Sequence, residues 1–172
     1  YVLLCDGMGS GPDANRESSL AVRLLEQFLQ AGVETEHALV TLNSALALRN
    51  DEAAGGFTTI DLLRVDLFTG EAGVYKYGAA PTYVKKGYSV SRITGSALPA
   101  GLAGGDGAAP DVAKVRLEAG DWVLLVTDGV AGSEGDQWVR DTLAAFEAAV
   151  TPDTQAVICT HVSNVFGYIL PL

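Results

Sequence analysis

The stretch Tyr1-Val2-Leu3-Leu4-Cys5-Asp6-Gly7 is an apolar run that ends in one carboxylate and a glycine. The same pattern returns in Trp122-Val123-Leu124-Leu125-Val126-Thr127-Asp128-Gly129. Each run predicts a buried β-strand with an aspartate at its end, where the backbone is rigid and the carboxylate can reach into a cleft. If the two strands lie side by side, Asp6 and Asp128 converge, and their repulsion favours a cation between them.

A second interpretation of each Asp-Gly pair stays open. Asp-Gly is a frequent turn dipeptide, and taken singly either pair is more typical of a turn than of a metal site. At a metal site the glycine has a different use, because it lets a cation or a phosphate approach the backbone closely and frees the carbonyl to act as a ligand.

Helical and strand-like periods follow one another along the chain. Apolar residues at helical spacing predict helices over about 18–31 and 35–49. From Thr58 the period becomes strand-like, and turns at Thr69-Gly70 and Lys86-Gly87 predict two antiparallel hairpins.

The last third of the chain returns to a helical period. Helices are predicted over 137–150 and from Asp153 to about Phe166, with a closing strand over 168–172. Helices, then antiparallel strands, then helices form an α+β order, unlike the βαβ alternation of a parallel sheet. Because 172 residues fit one core, we predict a single domain over 1–172.

The composition narrows the class of function. With 48% hydrophobic and 19% charged residues the chain is typical of a soluble globular domain, and its apolar runs are far shorter than the roughly 20 residues that span a bilayer. A net charge of −10 disfavours binding to nucleic acid. Cys5 and Cys159 lie in separate apolar segments, which indicates reduced thiols and a cytoplasmic location. The cytosolic part of a membrane-anchored parent protein is also compatible with these features.

Other catalytic patterns do not match. The glycines from Gly7 to Gly11 lack the spacing of a dinucleotide-binding loop, and no Lys-Ser or Lys-Thr follows them as a phosphate-binding loop requires. His37 and His161 are solitary. Cys5 stands beside an aspartate, in the wrong electrostatic field for a thiolate nucleophile.

Five motifs occur in an order that resembles a known phosphatase family. They are Asp6-Gly7-Met8-Gly9-Ser10-Gly11 with Glu17-Ser18, Thr58-Thr59-Ile60-Asp61-Leu62, Gly78-Ala79-Ala80-Pro81, Leu98-Pro99-Ala100-Gly101 and Thr127-Asp128-Gly129-Val130. Together they resemble the phosphatase domain of the stage II sporulation protein E family, in the bacterial branch of metal-dependent, type-2C-like serine/threonine protein phosphatases. The resemblance covers about residues 1–140.

The resemblance implies a four-layer α/β/β/α sandwich of two antiparallel sheets flanked by helices. It implies two Mn²⁺ or Mg²⁺ ions at one edge, with Asp6 bridging both ions, the Gly7 carbonyl binding one of them, and Asp128 binding from the second strand. A water between the ions would attack phosphorus directly. On this basis we expect hydrolysis of phosphoserine or phosphothreonine on a regulatory protein, such as an anti-sigma factor antagonist, in bacterial sporulation signalling.

Asp61 and Gly9 are expected beside the metal ligands. Asp61 lies inside a predicted strand, where an unpaired carboxylate is costly, so we expect it to accept hydrogen bonds near the site. A third metal ion at Asp61 is the alternative. Gly9, in the loop after Asp6, is assigned to the same surroundings.

Two departures from the family pattern leave the activity of this chain open. The family has an acidic strand ahead of the first motif, which would precede Tyr1, and an Asp-Asp-Met-Thr segment between the last helix and the last strand. Here Gly167 runs straight into Tyr168, so that segment is either deleted or omitted from the given sequence. The alternatives are therefore a catalytically silent domain that binds a partner protein and a small-molecule sensor module. A homodimer is also compatible with the sequence.

Overall fold

The computed structural model describes residues 1–9, 11–50, 56–102, 109–131, 141, 143 and 165–169. Within them the helices are α1 (Pro12–Gln30), α2 (Thr35–Asn50) and α3 (Asp128–Ala131). The strands are β1 (Val2–Gly7), β2 (Thr58–Val65), β3 (Glu71–Tyr77), β4 (Thr82–Lys86), β5 (Ser89–Ile93), β6 (Asp111–Arg116), β7 (Trp122–Leu124) and β8 (Val165–Ile169).

The strands form two antiparallel sheets. A five-stranded sheet has the order β6-β3-β2-β1-β8, and a three-stranded sheet has the order β5-β4-β7. Every pairing in both sheets is antiparallel. The predicted α+β class is confirmed, and so are the two predicted hairpins, which are β2–β3 and β4–β5.

Apolar side chains fill the space between the layers. Helices α1 and α2 cover the five-stranded sheet, where Leu25 and Leu62 are fully buried. A second cluster, which includes Val74 and Val123, lies between the two sheets. A third cluster, around Leu143, packs against the other face of the three-stranded sheet. The described residues are therefore stacked as helix, sheet and sheet, with Leu143 on the far side.

Helix α1 begins at Pro12, whereas the sequence predicted a start near Ser18. Proline suits the first turn of a helix because its φ is already helical and its missing N–H would have no partner there. Gly11 precedes it at a φ of 87°, a conformation that glycine adopts without strain. The added residues bring the first turn of α1 against the end of β1.

The closing strand begins earlier than predicted, at Val165 instead of Tyr168, so the predicted helix does not extend to Phe166. Strand β8 pairs with β1, which is more than 150 residues away along the chain, and it places Val165 opposite Asp6. Local periodicity does not reveal such a pairing, because strand formation depends on the partner and on burial. Residues 141 and 143 are helical, and the remainder of the two helices predicted over 137–150 and from Asp153 lies outside the described residues.

Gly7 marks a close approach between a helix and a sheet. A Cβ atom at Gly7 would lie 2.0 Å from the carbonyl oxygen of Ala14, in the first turn of α1. No side chain fits there unless α1 moves away from the end of β1. Packing therefore requires glycine at the position directly after Asp6.

We expect Gly7→Ala to destabilise the domain by about 1–3 kcal/mol, as overpacking of a filled site does. Gly129→Ala is the matched control, because a Cβ at Gly129 meets no atom closer than 3.9 Å. The control should change stability by less than about 0.5 kcal/mol. Urea unfolding measures both variants, and equal stabilities would contradict the close approach at Gly7.

Candidate active site

Asp6 lies near the end of β1, where its backbone is held from the side of β2. Its N–H donates to the Thr59 hydroxyl at 3.2 Å, and its carbonyl accepts a hydrogen bond from the Thr58 hydroxyl at 3.0 Å. Asp6 is also the register partner of Thr59 in the sheet. The carboxylate therefore extends from a backbone that two threonine hydroxyls hold in addition to the strand pairing.

Asp128 reaches the same place from the other sheet. It is the first residue of α3 and lies four residues after β7 ends at Leu124, so the prediction that Asp128 stands at the end of a strand is wrong. Because β7 belongs to the three-stranded sheet and β1 to the five-stranded sheet, the two strands do not lie side by side, which was one way for the aspartates to converge. The two aspartates nevertheless line one cleft, since the two sheets are stacked on each other.

The cleft has a volume of about 200 Å³. Its lining combines the ends of β1 and β2 with the loops that follow β3, precede β6 and precede α3. The lining residues are Leu4, Asp6, Met8, Thr59, Asp61, Gly78, Ala79, Ala80, Pro99, Val126, Thr127 and Asp128. All five sequence motifs that define the resemblance contribute to this lining, and Leu98-Pro99-Ala100-Gly101 does so through Pro99.

One wall of the cleft is built where the loops of Gly78 and Pro99 meet. Gly78 has a φ of 57°, and a Cβ there would lie 2.5 Å from the Pro99 ring. The Gly78 N–H donates to the Ala97 carbonyl at 2.8 Å. Ala100 and Thr58 exchange two backbone hydrogen bonds, of 2.8 and 3.1 Å. The wall is therefore tied to β2, the strand that also holds Asp6.

The carboxylates of Asp6 and Asp128 repel each other. Partial burial raises the pKa of Asp6, and the negative charge of Asp128 raises it further. Carboxylate oxygens are the hard donors that Mg²⁺ and Mn²⁺ prefer, so the donor set suits a divalent cation that would offset this repulsion.

The two carboxylates do not complete a metal shell by themselves. In the part of the chain that the structure describes, no three residues of the types Asp, Glu, His and Cys form a cluster that could hold a metal ion. Gly7 is buried and directly follows Asp6. Gly9 is exposed, with a φ of 95° and open space around its Cα.

Asp61 belongs to a buried polar network beside the cleft. Its Oδ2 lies 2.8 Å from Nζ of Lys76 and accepts a hydrogen bond from the Thr82 hydroxyl at 2.5 Å. Lys76 also donates to the Thr82 hydroxyl at 2.7 Å. Burial raises the pKa of Asp61, and Lys76 opposes that rise; burial lowers the pKa of Lys76, and Asp61 opposes that fall. Each charge therefore stabilises the other in a place that neither would occupy alone.

Sequence reasoning did not identify Lys76 or Thr82 as partners of Asp61. A signal was present, because Ile60-Asp61-Leu62 and Tyr75-Lys76-Tyr77 each place one charge between large apolar side chains. These two stretches belong to one hairpin, and its register sets Asp61 opposite Lys76. Opposite charges facing each other inside a buried hairpin indicate an ion pair.

Cys5 is fully buried one residue before Asp6. Burial raises the pKa of its thiol far above the ordinary value, and the nearby charges of Asp61 and Asp6 raise it further. A thiol in these surroundings stays protonated, so the structure gives no support to a cysteine nucleophile beside this cleft.

We expect Cys5 to resist thiol reagents in the folded domain. In a Cys159→Ser variant Cys5 is the one remaining cysteine of the chain. Its reaction with an aromatic disulfide reagent at pH 8 should be at least about 100-fold slower than in concentrated urea, because only opened molecules react. Equal rates in the presence and absence of urea would contradict the burial of the thiol.

We also expect Asp6→Asn to raise the melting temperature at pH 7 in a chelator, because the amide removes the repulsion from Asp128. Because the pKa of Asp6 is raised in the folded state, its charge destabilises the fold fully at pH values above that pKa. The destabilisation is lost below the ordinary pKa of an aspartate, about 4. The gain should therefore shrink as the pH falls toward 4.

Asp66→Asn is the control for this prediction, because Asp66 is an exposed aspartate in the β2–β3 turn whose pKa is lowered, and not raised, by the hydrogen bonds it accepts from the Thr69 and Phe68 N–H groups. It should show no gain at pH 7. Thermal unfolding at several pH values compares the two variants with the parent chain. A gain for Asp6→Asn that does not depend on pH would show that charge repulsion is not its cause.

Comparisons with known proteins point to one family. The family model described as Stage II sporulation protein E (SpoIIE) matches residues 1–165. Stage II sporulation protein E of Priestia megaterium is 38% identical over 128 residues, which are 74% of this chain and 21% of that protein. The protein of the same name from Bacillus subtilis (strain 168) is 33% identical over 127 residues, which are 74% of this chain and 15% of that protein.

A solved structure agrees with these relatives. It contains the PP2C phosphatase domain and a fragment of the regulatory domain of SpoIIE from Bacillus subtilis, and it is similar with a TM-score of 0.69 and 29% identity, over 83% of this chain and 42% of that chain. The present chain thus spans about a fifth or less of the length of the curated relatives it matches. Within the described residues, no helix has the length and hydrophobicity needed to cross a membrane. Since the family model covers nearly all of its sequence, the chain belongs to the stage II sporulation protein E family.

Proposed function

We propose that this chain is the catalytic domain of a metal-dependent protein phosphatase that acts on phosphoserine or phosphothreonine of a regulatory protein. The observation that carries this proposal is the convergence of Asp6, near the end of β1, and Asp128, at the start of α3, in one small cleft. The similarity to the PP2C phosphatase domain of SpoIIE supports it.

Asp6, Asp128 and the Gly7 carbonyl would hold the metal, which we propose to be two Mn²⁺ or Mg²⁺ ions. The oxygen donors and the mutual repulsion of the two carboxylates fit such ions. When bound, divalent cations supply positive charge for the phosphoryl oxygens and lower the pKa of a coordinated water. The chain itself orients the Asp6 carboxylate through its two threonine hydrogen bonds.

In the proposed reaction the phosphoryl group is transferred directly to water. The oxygen of water bonds to phosphorus, the bond between phosphorus and the side-chain oxygen breaks, and serine or threonine leaves as the free hydroxyl. No covalent phospho-enzyme is needed, which agrees with the protonated state of Cys5. The described residues that line the cleft include no Arg or Lys, so binding of the phosphoryl group would depend on the cations that Asp6 and Asp128 hold.

The cleft favours a phosphorylated side chain as the substrate over a free small molecule. Its volume of about 200 Å³ lies below the roughly 300–1,000 Å³ that is usual for small-molecule sites. Ala79 and Ala80 leave room for a phosphate at the end of a protruding side chain. Following the family resemblance, we propose a small regulatory phosphoprotein, such as an anti-sigma factor antagonist, as the substrate in sporulation signalling.

We place this domain in the cytoplasm, as one part of a larger protein. Cys5 is a free thiol, which suits a reducing compartment. The curated relatives are about five to seven times longer than the region they share with this chain. The acidic strand that the family pattern places ahead of Tyr1 would belong to the same larger protein.

A second candidate function rests on the sequence before β8. After Asp153 the chain holds no Asp or Glu, although β8 places Val165 directly opposite Asp6. The acidic ligand that the family pattern implies, just ahead of the last strand, is therefore missing from this sequence. A domain without that ligand would hold metal weakly and act as a catalytically silent module that binds a partner protein.

Phosphate release across a Mn²⁺ titration tests the proposed function. With a phosphoserine protein or an aryl phosphate as substrate, release should rise with Mn²⁺, because the cations offset the charge of the cleft. Asp6→Asn and Asp128→Asn should each lower kcat by about 100-fold or more, the usual effect of removing a group that stabilises charge in the transition state. Asp66→Asn, in the exposed turn, should stay within twofold of the parent chain.

The outcome separates the two candidate functions. Mn²⁺-dependent release that both cleft variants abolish supports the phosphatase. If the folded chain binds Mn²⁺ weakly and releases no phosphate at any Mn²⁺ concentration, the phosphatase proposal fails for this chain and the silent binding module takes its place.

A further inference from the structure

Three polar side chains cross from one sheet to the other beside the cleft. Asp61 and Lys76 belong to the five-stranded sheet, and Thr82 belongs to the three-stranded sheet. All three are at least 99% buried. Their three mutual contacts, of 2.5 to 2.8 Å, join the two sheets beside the cleft. Elsewhere the sheets pack through apolar side chains, and Lys86 of β4 donates to the Arg116 carbonyl of β6.

The polar contacts of the Asp61 carboxylate all involve one of its two oxygens. Lys76 and Thr82 both reach Oδ2, and among the described residues nothing donates a hydrogen bond to Oδ1, which is also buried. Asp61 is at the same time one of the residues that line the cleft. A buried carboxylate oxygen without a donor is costly, and a carboxylate can only accept hydrogen bonds. Oδ1 can therefore accept a hydrogen bond from a small donor in the cleft that Asp61 lines.

Stability alone does not account for this arrangement. A buried ion pair is often no more stable than well-packed apolar residues of similar volume, because both charges lose their hydration. An apolar pair would also leave no buried oxygen without a donor. The network is instead suited to hold one carboxylate in a single orientation, since Lys76 and Thr82 fix Oδ2 from two directions.

We propose that Lys76 and Thr82 are positioning residues for the reaction in the cleft. They hold Asp61 so that its Oδ1 is a fixed acceptor for a water molecule beside Asp6. The water fills the place of the missing donor, and its orientation depends on Lys76 and Thr82 although neither residue touches the substrate. This inference rests on the proposed phosphatase function, because it assigns a use to an ordered water in that cleft.

Two conservative substitutions at Thr82 test the positioning role. Thr82→Val keeps the shape and removes the hydroxyl, whereas Thr82→Ser keeps the hydroxyl. We expect Thr82→Val to lower kcat and to weaken Mn²⁺ binding by about 10–100-fold each, as the loss of outer hydrogen-bond partners does at metal sites. KM for an aryl phosphate should change by less than about threefold, and Thr82→Ser should recover most of both losses. Free Mn²⁺ measured by electron paramagnetic resonance reports binding independently of turnover.

A double variant separates positioning from a structural role. Lys76→Met leaves the Asp61 carboxylate buried without its cation and should lower the melting temperature. Asp61→Val combined with Lys76→Met replaces the ion pair by apolar side chains, and we expect it to regain the melting temperature while kcat stays at least about tenfold below the parent. Lys114→Met is the matched control, because Lys114 is an exposed lysine on the neighbouring strand β6 and should leave every readout unchanged.

Each outcome decides between the alternatives. If the double variant regains kcat and Mn²⁺ affinity together with its melting temperature, the network is a structural link between the sheets and the positioning role is overturned. If Thr82→Val behaves like Thr82→Ser, the role is likewise overturned. If the parent chain neither binds Mn²⁺ nor releases phosphate, the proposed function itself fails, and the positioning role fails with it. If the parent chain is active and only the Thr82→Val and double variants lose kcat and Mn²⁺ affinity, the inference is supported.

Discussion

The position of β1 is the constraint on which the rest of the structure depends. Strand β1 pairs with β2 on one edge and with β8 on the other, and α1 packs across it. A strand that is bonded on both edges cannot shift by one residue without turning every side chain to the opposite face. The direction of the Asp6 carboxylate is therefore determined by the whole five-stranded sheet, and Gly7 lets α1 close over the strand end beside it.

The cleft gathers several features that would be unfavourable elsewhere in the domain. Two carboxylates line one cleft and repel each other, a lysine and an aspartate are buried, and one buried oxygen has no donor in the described part of the chain. Natural proteins tend to break the rules of stable packing where they bind or catalyse, and the surrounding structure compensates. Here the surrounding apolar layers supply that compensation, because they hold Asp61 and Lys76 together and keep Cys5 out of the chemistry.

Much of the local structure could be predicted from sequence because its causes are local. The change of period at Thr58 and the glycine turns identified both hairpins, and the repeated Asp-Gly ending identified the two aspartates that share the cleft. The apolar stripe predicts a start of α1 near Ser18, but the helix begins at Pro12, because proline suits its first turn. The predicted start of the last strand, at Tyr168, is wrong for a different reason, because the bounds of β8 depend on its pairing with β1.

The sequence by itself determined the α+β class, the hairpins and the placement of an aspartate at the end of two apolar runs, because periodicity and turn chemistry act over a few residues. Only the tertiary structure decided that β1 and β7 belong to different sheets and that Asp6 and Asp128 meet across the stack. It also decided that Lys76 and Thr82 hold Asp61 from two sheets. These relations depend on which surfaces are buried against each other, and that choice is made by the packing of the whole domain and not by any short segment.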